Sequence, residues 1–131
     1  MKIVGLVALA LALFVGGYVL GSYFPVSGLL SGQKSIKGDS ELKVTVLDYA
    51  NQPVSNLEVD VASENEPPTA DGVRKTDANG IATFNLKPGH YYVFFNTINF
   101  PQNFQVPRET EIDVTEGQTN SKTIILQNAG R

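Results

Sequence analysis

The chain of 131 residues contains no cysteine. A disulfide framework and a thiolate metal site are therefore both closed to it, although the absence does not place it in any compartment. His90 is its one histidine, which excludes a Cys/His zinc site and any multi-histidine centre. Acidic residues are missing from residues 1–38, where Lys2, Lys34 and Lys37 give a net charge of +3. Residues 39–131 hold all 13 acids against seven Lys and Arg, a net of −6. Such an acidic domain repels a phosphate backbone, so nucleic acid is not an expected partner. The acids are scattered rather than blocked, which reads as solubility. Nothing in the chain forms a phosphate-binding glycine loop or an internal repeat, and no cofactor is implied.

What the chain does have is one long uncharged run, IVGLVALALALFVGGYVLGSYF, residues 3–24. At 1.5 Å per residue a helix of that length reaches about 33 Å, close to the ~30 Å of a hydrocarbon core. Tyr18, Tyr23 and Phe24 lie toward its far end, where aromatics favour the membrane–water interface, and Pro25 ends or bends the helix. A cleaved signal peptide also opens on a short basic region. Its apolar stretch is usually only ~7–15 residues, however, and no small-x-small cleavage site follows here. Residues 1–25 are thus read as a transmembrane helix or signal-anchor that ties the chain to a membrane. Lysines flank both ends, so charge alone does not orient it. Ala8, Ala12 and Gly16 recur at four-residue spacing and are followed by Gly17 and Gly21, a pattern that lets helices approach closely. Residues 26–41, VSGLLSGQKSIKGDSE, are rich in Ser, Gly and charge and read as a flexible linker.

The period then changes to two. Leu42, Val44 and Val46 alternate with Lys43 and Thr45; after a turn at residues 48–53, Leu57, Val59 and Val61 alternate with Glu58 and Asp60. These are two half-buried strands, expected to pair as neighbours. A polar loop over 63–75 leads to a short strand near Val73 to Thr76. In Asp77-Ala78-Asn79-Gly80 the Asx side chains bond their own backbone and Gly80 supplies a positive φ, a tight turn before a strand from Ile81 to Leu86. Pro88-Gly89 turns into an aromatic strand, and strands at Thr110 to Val114 and Thr123 to Leu126 follow. With no amphipathic helix in this region, the expected domain over 42–131 is all-β: an Ig-like antiparallel β-sandwich of six or seven strands preceded by one hydrophobic helix.

The stretch TDANGIATFNLKPGHYYV fits the pattern Thr-Asp-x-x-Gly-x-Ala-x-Phe-x-Leu-x-Pro-Gly-x-Tyr, and VTVLDYANQPVSNLEVDV resembles the first hairpin of the same family. Together they resemble the carboxypeptidase regulatory-like, or transthyretin-like, modules and the related Cna protein B-type repeats of surface adhesins, over residues 42–127. The resemblance implies a prealbumin-like sandwich held outside the cell, with the amino terminus inside; it says little about function. Many B-type repeats form an internal Lys–Asn amide aided by a Glu. Here Val46 or a neighbouring apolar residue stands where the Lys would be and Phe95 lies near the position of the Glu, so no such crosslink is expected. The glycine usual in the first turn is absent too, and Asn51 is expected to take the left-handed conformation instead.

Catalysis has little to stand on. His90 follows a Pro-Gly turn and reads as a surface residue, and no Ser or Thr sits in the context of an activated nucleophile. Asp77, Asn79 and the nearby Asp71 do not make a calcium loop, which needs 6–8 oxygens. The chain is read as a non-enzyme without a metal site. In GHYYVFFNTINF, Tyr91, Val93 and Phe95 point to one face and Tyr92 and Phe94 to the other. The first set belongs in the core. Tyr92, Phe94, Phe100 and Phe104 are the candidate partner or ligand surface, unless INFPQNF folds back and covers the outer face itself. Three readings follow: a membrane-anchored cell-surface module with a structural, adhesive or protein-interaction role; a subunit of a pilin-like filament with its helices packed in the core; or a carbohydrate-binding domain that stacks sugars on aromatics. The filament reading lacks the usual pilin processing pattern.

Overall fold

A computed structural model describes residues 35–63 and 67–130. The anchor over 1–25, its small-residue ladder (Ala8, Ala12, Gly16, Gly17, Gly21) and most of the linker lie outside the described residues. No helix among the described residues is long and apolar enough to cross a membrane.

The described residues form seven strands: β1 (Lys37–Leu47), β2 (Glu58–Ala62), β3 (Val73–Lys75), β4 (Ile81–Leu86), β5 (Gly89–Phe94), β6 (Thr110–Val114) and β7 (Asn120–Ile125). They form a three-stranded sheet ordered β4-β1-β7 and a four-stranded sheet ordered β3-β2-β5-β6. Every pair is antiparallel except β1 with β7, which run parallel, Val44 opposite Lys122. The domain is an all-β sandwich, as the strand spacing requires.

Alternation places the core between the sheets. Leu42, Val44 and Val46 of β1, Val59 and Val61 of β2, Ala82, Phe84 and Leu86 of β4, and Tyr91 and Val93 of β5 are buried in one cluster. Phe84 and the larger aliphatic members are fully buried, each worth about 1.5–3 kcal/mol relative to exposure. Val46 and Phe95 both belong to this cluster.

Two expectations are corrected. β1 and β2 do not pair: they lie in opposite sheets, and the connection between them crosses the sandwich after an isolated bridge from Leu47 to Pro53. Period-two alternation shows which face of a strand is buried but carries no information about its neighbour. The domain also begins before Leu42. Ile36 is buried in the core and β1 starts at Lys37, so residues 35–41 are part of the sandwich and not a tether. A bulge between Lys37 and Ser40, both opposite Leu86, hides this extension from a strict alternation.

The turns follow their side chains. Asp48 Oδ1 accepts from Ala50 N and Gln52 N, both at 2.8 Å, and Asn51 takes φ 60° in place of a glycine. Asp77 repeats the device: Oδ1 accepts from Asn79 N at 2.8 Å and Ile81 N at 3.0 Å, while Gly80 takes φ 74°. A side chain at Gly80 would meet Val46 O at 2.5 Å, so both the conformation and the close approach require glycine. Lys87-Pro88 carries the chain from β4 in one sheet to β5, which opens at Gly89, in the other, and the Tyr91 hydroxyl donates to Lys87 O at 2.7 Å across the step.

Candidate functional site

The candidate surface divides. Tyr92 and Phe94 stand half-buried on the outer face of the four-stranded sheet, while Tyr91, Val93 and Phe95 are buried on the inner one. Phe100 and Phe104 are not part of that outer surface. Phe100 is buried in the core and meets Phe95 edge-on, with ring centroids 5.5 Å apart and an interplanar angle of 71°. Phe104 packs against the same cluster, and its segment is tied down by Gln105 N to Gln127 O at 2.9 Å and Ala129 N to Asn103 O at 3.0 Å. The segment INFPQNF thus closes the rim of the core instead of covering Tyr92 and Phe94. Leaving strand geometry after Phe94 frees these rings from strand alternation, which is why spacing alone misplaced them.

Register fixes the rest of the outer face. β2 presents Glu58, Asp60 and Ala62; β5 presents His90, Tyr92 and Phe94, with Asp60 opposite Phe94 and Ala62 opposite Tyr92. β3 places Val73 beside Asp60 and Lys75 beside Glu58. β6 places Glu111 beside Tyr92 and Asp113 beside His90.

Two titratable centres lie on this face. His90 is exposed, with Nδ1 2.7 Å from Asp113 Oδ1 and Nε2 3.6 Å from Glu111 Oε2, and its ring meets Tyr92 edge-on at 5.2 Å. The Asp113 hydrogen bond, helped by both carboxylates, holds its pKa above the ordinary 6.5. Among the described residues, His90 is bonded to the carboxylates of Asp113 and Glu111 and to no hydroxyl. The second centre escaped sequence reading. Asp60, at a polar-out position, is only 3% exposed. Its Oδ1 has no hydrogen-bond partner among the described residues, and burial, then the neighbouring Glu58, push its pKa from 3.8 up to about 6. Alternation marks such a position as solvent-facing, and it gives no sign of the apolar Val73 and Phe94 that stand opposite Asp60 on the flanking strands.

Asn120 is the other residue that the sequence did not single out. Its Oδ1 accepts from Thr115 N at 2.9 Å and its Nδ2 donates to Glu41 O at 3.0 Å, with Thr115 O and Gln118 O each at 3.2 Å. One buried amide thereby fastens the β6–β7 turn to β1. Asp71 accepts from Ser35 Oγ at 2.9 Å rather than joining Asp77. No group of three or more His, Asp or Glu placed to hold a metal occurs among the described residues.

No family model and no curated protein matches the sequence. Solved structures do share the fold. The minor pilin GBS52 of Streptococcus agalactiae matches with a TM-score of 0.61 at 17% identity, over 75% of this chain and 48% of its own. BcpA, the major pilin subunit of Bacillus cereus, matches with a TM-score of 0.59 at 17% identity, over 70% of this chain and 31% of its own. The Bacillus anthracis TIE protein matches with a TM-score of 0.57 at 24% identity, over 70% of this chain and 17% of its own. The chain spans less than half the length of each, and at these identities the likeness is one of fold.

Proposed function

We propose that this chain is a non-catalytic module of the cell surface, anchored in the membrane by residues 3–24 with its sandwich outside, and that it works through protein contacts. The observation that carries the reading is the outer face of the four-stranded sheet, where Tyr92 and Phe94 stand half-exposed around the buried Asp60. An aromatic pair left on a sheet face fits an interaction surface better than a solvated one. The uncharged run and the fold shared with pilins support the location. Protease added to intact cells tests it: the sandwich should be lost while a cytosolic marker survives, and a protected sandwich would end the surface reading.

A pilin-like filament subunit is the second reading, favoured by the pilins among the structures of like fold. Purified surface filaments without this chain would sink it. A sugar stacked on Tyr92 and Phe94 would make the same face a lectin site, which a glycan array without hits would count against.

A further inference from the structure

The turn before β4 holds the one Asn-Gly pair of the chain, Asn79-Gly80. Glycine leaves its backbone nitrogen unshielded, because no side chain stands beside it. That nitrogen can attack the side-chain amide of the preceding Asn. The bond from Gly80 N to Asn79 Cγ forms, the Cγ–Nδ2 bond breaks, and ammonia leaves with the proton that Gly80 N gives up. A five-membered imide remains, and one water opens it. Attack at Cγ leaves aspartate at position 79. Attack at the backbone carbonyl leaves isoaspartate, whose main chain runs through Cβ and Cγ and is one atom longer.

Asn79 is exposed, so water reaches it. The attacking atom is not free, however. Gly80 N donates to Asp77 O at 3.0 Å. Asn79 N and Ile81 N donate to Asp77 Oδ1 at 2.8 Å and 3.0 Å, and Asp77 N donates to Ile81 O at 2.9 Å. Gly80 O accepts from Val46 N at 2.7 Å, which hooks the start of β4 to β1. Gly80 N cannot swing onto Cγ while these bonds hold.

We propose that Asn79 is a modification site gated by the fold: it is converted only in chains whose turn has opened, and its isoaspartyl form cannot close that turn again. The extra main-chain atom would fall inside a loop closed from both ends by Asp77 and Ile81. It would also push on a glycine that has no slack, since even a Cβ at Gly80 would stand 2.5 Å from Val46 O and 3.1 Å from Pro53 Cβ. Aspartate keeps the main chain at its native length, and its side chain points into water as that of Asn79 does, so the turn closes over it. Opening followed by passage through isoaspartate therefore removes a chain from the folded pool for good.

The purified full chain in detergent micelles is aged in mildly alkaline buffer, folded and in urea above its unfolding transition. Peptide mapping by mass spectrometry, with fragmentation that separates aspartate from isoaspartate, reads position 79. The folded chain should be converted at least about tenfold more slowly than the unfolded one. Asp77→Ala removes the carboxylate acceptor but keeps the Asn-Gly pair, and should speed conversion several-fold in the folded chain. When the urea-aged chains are returned to buffer and given a pulse of protease, aspartate should be found in the surviving fraction and isoaspartate in the digested one. Equal rates with and without urea overturn the gating, as does a folded Asp77→Ala chain no faster than the parent. Isoaspartate that survives the pulse as well as aspartate overturns the claim that the turn cannot close. Should Asp77→Ala fail to fold, the two measurements on the parent decide.

Discussion

Replacing Asp60 by Asn isolates the cost of one buried acid. In the fold this carboxyl is 3% exposed, lacks a partner for Oδ1 and has its pKa raised from 3.8 to about 6. Because the folded value lies above the unfolded one, the folded chain holds its proton more tightly. Well below pH 3.8 both states are protonated and the group costs nothing through ionisation. The penalty grows as pH rises between the two values and is complete above the folded one. About two units at ~1.4 kcal/mol each set an upper bound of roughly 3 kcal/mol on the destabilisation at neutral pH. Asn cannot ionise but brings a buried amide that lacks partners, at a cost of about 1 kcal/mol. Asp60→Asn should therefore be more stable than the parent by roughly 1–2 kcal/mol at about pH 7.5 and no more stable at about pH 4. Urea unfolding at dilute protein over that pH series measures both. His90, whose raised pKa also makes stability fall as pH rises through its folded value, is present in both chains and cancels in the difference. A variant less stable at neutral pH, or one with the parent's pH slope, would refute the reasoning.

Other outcomes follow from single contacts. Asn120→Ala strips four hydrogen bonds at the β6–β7 turn and should cost about 2–3 kcal/mol in unfolding experiments. Phe100→Ala opens the core beside Phe95 and should cost about 3–4 kcal/mol, whereas Phe94→Ala on the outer face should cost under about 1 kcal/mol; equal losses would place both rings on one side of the sheet. His90 should titrate above 6.5 by proton NMR, and Asp113→Asn should bring the value down, since the 2.7 Å contact is the leading cause of the shift.

The readable parts of the fold were those written locally. Alternation in β1, β2 and β4 marks the core face, because a pleated strand turns every second side chain inward. Asp48, Asn51, Asp77 and Gly80 announce their turns, because each bends its own backbone. Pairing was not readable: nothing in Leu42–Val46 says that its neighbours are β4 and, in parallel, β7. Tyr92 and Phe94 were legible as outward residues from period alone, but Phe100 and Phe104 lie beyond the strand, where period has no meaning. Asp60 was hidden for the opposite reason. Its polar character fits the outward position, and its burial comes from neighbours supplied by two other strands. Asn120 looks like any turn residue until β1 brings Glu41 within reach.

The central claim is that Tyr92 and Phe94 form a face that meets protein. A photo-crosslinking residue placed at position 94, with another at Thr83 on the exposed side of β4, tests it in intact cells. The account predicts a discrete protein adduct from position 94 and none from position 83. No adduct from either position, or the same adducts from both, would contradict it.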